Sequence, residues 1–215
     1  STVKGGLGNL KRGTFSSLVL PQEMSLQKTR RIEVTKKKEQ AHFVLGFMGT
    51  TFHQKDRYAM EVLDATLSGQ GGRLFYELRD KESLAYALHF MAYPNLDSGF
   101  LGIYMGTHPD KLEKAVRRVL EELKKIKEEG FTEDEVGRAK KFLVGNYEIG
   151  LQTNGAQATQ ISLDELYGLG YDHFKNYPQE IEKVSKEEVL RVIQKYIHLD
   201  AYALAIIRPP AAKEE

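Results

Sequence analysis

GGRLFYELRDKESLAY, residues Gly71 to Tyr86, passes from a glycine turn through a charged segment into an apolar run. The glycines permit a sharp turn, and the charged segment predicts a short helix. The segment leads into LAYALHFMA (84–92), whose aromatic and aliphatic residues predict a β-strand. Arg79 therefore lies near the join of helix and strand, and Tyr86 lies inside the apolar run.

Four further regions around this segment have the composition of β-strands. GFLGIYMG (99–106) follows after the turn segment YPNLDS, which is too short for a parallel crossover, so we expect an antiparallel pair. Upstream, RRIEVTKKK (30–38) and AHFVLGFMG (41–49) predict two strands around a polar turn. Near the end of the chain, AYALAII (201–207) predicts a last strand that rejoins the sheet.

Helical signals fill the remainder of the chain. Apolar residues recur at helical spacing in DRYAMEVLDATL (56–67) and most regularly in the segment from Leu112 to Ile126. Two capping boxes mark helix starts, one at Thr132 with Glu135 and one at Ser185 with Glu188. The sequence thus predicts an α+β fold in which an antiparallel-rich mixed sheet packs against several helices. We expect a single domain over residues 31–208, a basic linker or arm over residues 1–30 and a tail over residues 209–215.

The charge balance limits the classes of partner. The 215 residues contain 31 Lys and Arg against 30 Asp and Glu, so we expect no nucleic-acid partner. Residues 1–40 carry nine basic and three acidic side chains, which leaves the rest of the chain acidic by 27 to 22. No apolar run approaches the roughly 18 residues of a membrane span, which predicts an ordinary soluble protein. The absence of cysteine leaves the compartment open, with the cytoplasm slightly favoured over the periplasm or an organelle.

Familiar catalytic and metal-binding motifs are missing. No two of the six histidines are three to five residues apart, as a helical metal pair would require. There is no cysteine nucleophile and no G-x-S-x-G motif. His42 and His89 lie in predicted strands, where the expected role is that of a core or edge histidine. The sequence therefore predicts no metal site and no catalytic residues in this chain.

Arg79 and Tyr86 are the remaining candidates, and spacing leaves two interpretations open. An arginine fork and a tyrosine hydroxyl could together hold a peptide backbone. Alternatively, Arg79 complements a helix C-terminus while Tyr86 packs beside Leu84 and Leu88 on one strand face.

The amino-acid sequences of several whole segments resemble those of one protein family. LSGQGGRLFYELRDKESLAYAL (67–88) is similar to the C-terminal half of the pitrilysin/insulinase zinc metallopeptidases, which include the mitochondrial processing peptidases and the core proteins of the bc1 complex. AHFVLGFMGT (41–50) resembles the strand that precedes this motif in the family. DEVGRAKKFLVGNYEIGLQT (134–153) resembles the family's long helix, and LGYDHFKNYPQEIEKVSKEEVLRVIQKYI (169–197) its closing helices. The likeness covers most of residues 40–208.

The resemblance implies a function. In that family two similar α+β halves face each other around a chamber for extended peptides, and the first half carries the zinc motif H-x-x-E-H. This chain has no such motif, so it resembles the zinc-free half. Zinc is then expected in the partner half, and this chain alone should be inactive. Arg79 and Tyr86 match the family's arginine and tyrosine, whose implied role is to hold peptide substrate or the developing oxyanion.

Two questions about assembly stay open in the sequence. The non-methionine start and the basic residues 1–30 suggest a domain cut from a longer chain, in which those residues are the linker; a separate subunit is the alternative. The alternative function is a non-enzymatic scaffold subunit of the same fold, which the presence of Arg79 and Tyr86 disfavours. A nucleic-acid module that uses the basic arm is a third hypothesis, which the near-neutral total charge disfavours.

Overall fold

The computed structural model describes residues 5–6, 8–11, 13, 23–68 and 71–210. Half of the predicted arm and residues 211–215 of the predicted tail lie outside these residues. The strands are β1 Arg30–Thr35, β2 Ala41–Gly49, β3 Ala87–Tyr93, β4 Gly99–Thr107 and β5 Ala203–Arg208. The α-helices are α1 Asp56–Leu67, α2 Arg73–Phe75, α3 Leu112–Glu129, α4 Glu133–Gly150, α5 Asn154–Leu166, α6 Tyr177–Lys183 and α7 Lys186–Tyr196. Short 3₁₀ turns occupy Pro109–Lys111 and His173–Lys175.

The five strands form one mixed sheet in the order β1-β5-β2-β4-β3. Only the β1–β5 pair is parallel, and the antiparallel pairing of β3 with β4 confirms the sequence prediction. The last strand, β5, lies between β1 and β2, so the two strands predicted around a polar turn are not neighbours. β1 ends at Thr35, opposite Arg208 at the end of β5, because no partner strand continues beyond that point. The predicted extension to residue 38 was therefore wrong.

The helices cover one face of the sheet. The side chains directed at them are apolar and almost completely buried, as in Phe43, Leu45, Leu101 and Ile103. Helix α1 packs against β3, α4 and α7, which places it at the centre of the helical layer. The residues at the predicted capping boxes, Thr132 with Glu135 and Ser185 with Glu188, form both reciprocal hydrogen bonds.

A buried carboxylate joins the first and last helices. Asp56 accepts hydrogen bonds from Arg191 Nη2 at 2.7 Å, Lys195 Nζ at 2.7 Å and Tyr196 Oη at 2.8 Å. Burial alone would raise the pKa of Asp56, but the three donors outweigh it and hold that pKa well below its usual range. These contacts fix α7 to the start of α1. Within residues 23–68 and 71–210, none of the helices is long and apolar enough to cross a bilayer.

Candidate functional site

Arg79 lies in an unusual helical turn. Gly72 precedes α2, and a Cβ there would lie 2.3 Å from the carbonyl oxygen of Ser68, so only glycine fits this approach. After α2, the chain widens into a π-helical turn at Tyr76–Lys81, which contains Arg79. Turns of this type occur frequently at functional sites because they displace side chains from their regular helical positions. The sequence predicted a short helix here, but not its widening.

Most charged residues of this segment are used in structural contacts. Arg73 pairs with Glu135 at 2.6 Å and donates to the Gly130 carbonyl at 2.9 Å. Glu82 pairs with Arg118 at 2.6 Å, and Lys81 pairs with Glu77 at 2.8 Å. These contacts hold the segment in place from both ends.

Arg79 differs from these neighbours. Within the described part of the chain its side chain forms no hydrogen bond and no ion pair, and its guanidinium lies 4.6 Å above the ring of Phe75. The stacking fixes the direction of the side chain while its N–H donors remain exposed to solvent. Arg79 is therefore available as a donor for a ligand.

Tyr86 lies one residue before β3, and the strand predicted over 84–92 spans Ala87–Tyr93 instead. The turn at Ser83, where φ is +50°, separates Arg79 from this region. The backbone N–H of Tyr86 donates to the Gly106 carbonyl at 2.9 Å, yet its side chain is 55% exposed. Leu84 and Leu88, beside which the second interpretation placed Tyr86, are each only 2% exposed, so Tyr86 does not share their burial. Over the residues that the structure describes, the Tyr86 hydroxyl has no hydrogen-bond partner, and neither a hydrogen bond nor a cation–π contact joins Tyr86 to Arg79.

Tyr86 directly precedes Ala87, the first residue of β3, which lies on the face of the sheet that the helices leave open. The register places Ala87 opposite Gly106 and Gly106 opposite His42, and places His89 opposite Tyr104. Since side chains alternate along a strand, these residues share the face opposite the buried core. Ile32 and Val34 of β1 belong to the same face and are 67% and 41% exposed. We call this surface the open face.

An aromatic row crosses the open face. The hydroxyl of Tyr104 lies 2.9 Å from Nδ1 of His42, and the Tyr104 ring stacks with the rings of both His42 and His89. His42 is half-buried and His89 is exposed, so neither lies in the core. The alternation of apolar and polar residues in the predicted strands was the signal that could have placed them on this face.

Two glycines form a shallow floor beside this row. A Cβ on Gly102 would lie 2.4 Å from Cζ of Phe100, and one on Gly46 would lie 3.1 Å from its Cε2. The Phe100 ring therefore lies flat against the backbone of β4 and β2. The result is an open, largely apolar and aromatic surface, and the exposed residues Arg79 and Tyr86 precede its strand β3 in the chain.

The exposed side chains of this region have the chemistry of a binding surface. In the described ranges, no three His, Cys, Asp or Glu side chains are grouped to hold a metal ion. The exposed surface offers aromatic rings, a guanidinium and a phenol hydroxyl, which are suited to peptide carbonyls and side chains.

Comparison with known proteins defines the family. The family model described as the peptidase M16 inactive domain matches residues 7–143, more than half of the chain. The chain belongs to the peptidase M16 inactive-domain family. This confirms the resemblance to the zinc-free half of the pitrilysin/insulinase metallopeptidases.

Two bacterial relatives show how much of a longer protein the M16 inactive domain represents. An uncharacterized zinc protease of Streptomyces coelicolor is 37% identical over 138 residues, which cover 63% of this chain and 30% of that protein. The uncharacterized zinc protease YmxG of Bacillus subtilis is 28% identical over 199 residues, which cover 92% of this chain and 47% of that protein. The chain thus spans about half the length of the curated relatives it matches, or less.

The fold of the M16 inactive domain is confirmed by a solved structure. The crystal structure of a peptidase M16 inactive domain from Pseudomonas fluorescens superposes with a TM-score of 0.82 at 19% identity. The superposition covers 93% of this chain and 48% of that one. The predicted α+β architecture is therefore confirmed for the described part of the chain.

Proposed function

We propose that this chain is the substrate-holding half of a zinc peptidase and that its open face is a wall of the peptide chamber. The observation that carries the proposal is the open face itself, an apolar and aromatic sheet surface that the helices leave uncovered. Monomeric proteins rarely leave such contiguous surfaces exposed unless they bind a partner or a ligand there. A chamber wall facing a second half would give this surface its function.

Arg79 and Tyr86 are proposed to contact the peptide. The planar guanidinium of Arg79 can donate two parallel hydrogen bonds to a carbonyl or a carboxylate. The Tyr86 hydroxyl can donate one more to a peptide carbonyl or to an oxyanion that develops there. Both donors are exposed and without partners among the described residues, so binding would not require an existing contact to break.

The metal chemistry would come from the partner half. The described residues offer no ligand set for zinc, and the sequence has no H-x-x-E-H motif. When bound in the partner, zinc would supply the activated water for hydrolysis. The residues of this chain would hold and orient the peptide, which is a positioning contribution to the rate.

The test is a reconstitution with the zinc-bearing half from the same organism. We expect no peptidase activity from this chain alone and activity after mixing. In the mixture, Arg79→Ala and Tyr86→Phe should each lower turnover by about 10² to 10³, the usual loss for one oxyanion-type donor. Lys81→Ala is the matched control, because Lys81 is an exposed cation of the same turn whose charge is already paired with Glu77.

Three outcomes would contradict parts of the proposal. Unchanged turnover in both variants would remove Arg79 and Tyr86 from the peptide site. Hydrolysis by this chain alone would show that it carries catalytic residues of its own. A stable complex that hydrolyses no peptide would assign the chain to a scaffold role instead.

A further inference from the structure

A second candidate site lies on the helical side of the sheet, away from the open face. A cavity of about 340 Å³ lies between α1, α4, α5 and the segment 173–177. Five aromatic rings line it, from Phe52, Tyr58, Tyr147, Tyr167 and Tyr177. We call it the tyrosine cavity. Its volume lies within the range of pockets that bind small molecules.

The tyrosine cavity contains a buried carboxylate oxygen without a hydrogen-bond donor. Asp164 lines the cavity and is only 3% exposed. Its Oδ1 accepts from Gln160 Nε2 at 2.9 Å, whereas Oδ2 has no hydrogen-bond partner within residues 23–68 and 71–210. Buried carboxylate oxygens are almost always satisfied, because burial without a donor costs free energy. Within the described residues, the Oδ2 atom is therefore open to a hydrogen-bond donor that enters the cavity, either solvent or a ligand.

The two basic side chains of the cavity do not supply that donor. Arg57 is engaged with the Phe52 carbonyl at 2.8 Å, the Tyr58 hydroxyl at 2.5 Å and Nε2 of His173. Because guanidinium groups only donate, Nε2 of His173 must accept, and the imidazole proton lies on Nδ1. Nδ1 is 3.7 Å from Asp164 Oδ2, which is too far for a hydrogen bond.

Apart from Arg57, the titratable side chains that line the cavity with Asp164 favour their neutral forms. Burial, followed by the nearby Arg57 charge, lowers the pKa of His173. Burial raises the pKa of Tyr147 to about 12 and also raises the pKa values of Tyr58 and Tyr177. Glu61 accepts from the Tyr177 hydroxyl at 2.6 Å, and burial raises the pKa of its carboxyl group.

The rings around Asp164 have the chemistry of a cation site. Tyr147 stacks on Tyr177 with ring centroids 4.1 Å apart, and Phe52 stacks on Tyr167 at 4.5 Å. Aromatic faces attract organic ammonium groups, and a carboxylate beside them supplies the hydrogen-bond acceptor and the opposite charge. We propose that the tyrosine cavity binds a small primary ammonium group, with Asp164 as its acceptor and the aromatic rings as its walls.

The test compares n-butylammonium with 1-butanol, which has nearly the same shape but no charge, by calorimetric titration of the 215-residue chain. We expect saturable binding of n-butylammonium and binding of 1-butanol at least about tenfold weaker. N-acetyl-lysine amide, titrated in parallel, distinguishes a lysine side chain of a peptide from a free amine as the natural source. Binding by either cation supports the proposal, and failure of both to bind would overturn it. Equal binding of 1-butanol and n-butylammonium would also overturn it, because the cavity would then be only an apolar pocket.

Two variants locate the site. Asp164→Asn keeps the shape and should weaken n-butylammonium binding at least about tenfold. Tyr167→Leu removes one ring without changing a charge and should weaken it about three- to tenfold; it tests the same cavity if the Asn variant does not fold. Asp172→Asn changes an exposed carboxylate outside the cavity and should leave binding unchanged. Equal binding by the wild type, Asp164→Asn and Tyr167→Leu would place the cation elsewhere.

Discussion

The two faces of the sheet are built from the same strands but differ in what they contact. On the covered face, Phe43, Leu45 and Ile103 are almost completely buried under the helices. On the open face, the alternate residues Val44 and Tyr104 are only half-buried. The covered face therefore supplies most of the hydrophobic free energy of folding. The apolar residues of the open face remain partly exposed, so they contribute less to the stability of the isolated domain.

A large effect is expected from a matched pair of truncations on β2. Leu45→Ala should lower the free energy of unfolding by about 2–5 kcal/mol, because it leaves a cavity in the core. Val44→Ala, one residue away on the open face, should cost less than about 1 kcal/mol. Urea unfolding of both variants measures the difference. Equal losses would mean that the open face is also covered in solution, and the comparison would fail.

The covered face also depends on how its helices are attached. Asp56→Asn should lower the free energy of unfolding by about 1.5–3 kcal/mol at pH 7, since Asp56 accepts hydrogen bonds from two charged side chains and a hydroxyl. The pKa of Asp56 is lower in the folded than in the unfolded chain, where it is about 3.9. Its stabilisation is therefore complete above that value and is lost as the pH falls below about 4.

Unfolding measured between pH 7 and pH 2 checks this linkage. The difference in stability between the wild type and Asp56→Asn should stay constant from pH 7 to about pH 5 and shrink below about pH 4. Asp172→Asn, at an exposed position, is the control and should change little. A difference that does not depend on pH would show that shape, and not the charge of Asp56, stabilises the α1–α7 contact.

A smaller effect is expected from the glycine floor of the open face. Gly102→Ala would place a Cβ 2.4 Å from Cζ of Phe100, so the ring must move. The ring is half-buried and can shift toward solvent, so we expect a cost of about 1 kcal/mol, at the lower end for overpacking. In a Phe100→Ala background the clash disappears, and the same substitution should be close to neutral. A cost that is equal in both backgrounds would mean that the backbone, not Phe100, requires glycine.

Local features of the fold were predictable from the sequence. Both capping boxes, the α3 periodicity and the antiparallel β3–β4 pair depend on residues close together in the chain, and short-range patterns record such contacts. The family motif also singled out Arg79 and Tyr86. Both residues are exposed, and their role in binding is a proposal.

Features that depend on distant residues were not predictable. The position of β5 between β1 and β2 is set by pairing across most of the chain. His42 and His89 share a face only because the register of β4 brings both beside Tyr104. A single sequence contains alternation along each strand, but it does not record which face the helices will cover.

The smallest effect on stability is expected where the open face is most exposed. Ile32→Lys should change the free energy of unfolding by less than about 0.5 kcal/mol, because Ile32 is 67% exposed and lysine is common on edge strands. Leu204→Lys, on the covered face of the neighbouring strand, is the contrast and should prevent stable folding by burying a charge. Both substitutions introduce lysine, so the difference in stability between them would come from the face of the sheet on which the lysine lies.

In the assembled peptidase, Ile32→Lys tests whether the open face lines the peptide chamber. If the open face is a chamber wall, a lysine there adds a positive charge near the peptide without disturbing the fold. Relative kcat/KM should then shift toward acidic peptides, more strongly at low than at high ionic strength, because salt screens exposed charges. Lys81→Ala should leave this preference unchanged, because the charge of Lys81 is already paired with Glu77. A charge on the chamber wall would change the relative binding of charged peptides. An unaltered peptide preference in a fully active Ile32→Lys complex would therefore show that the edge of the open face at Ile32 does not line the chamber.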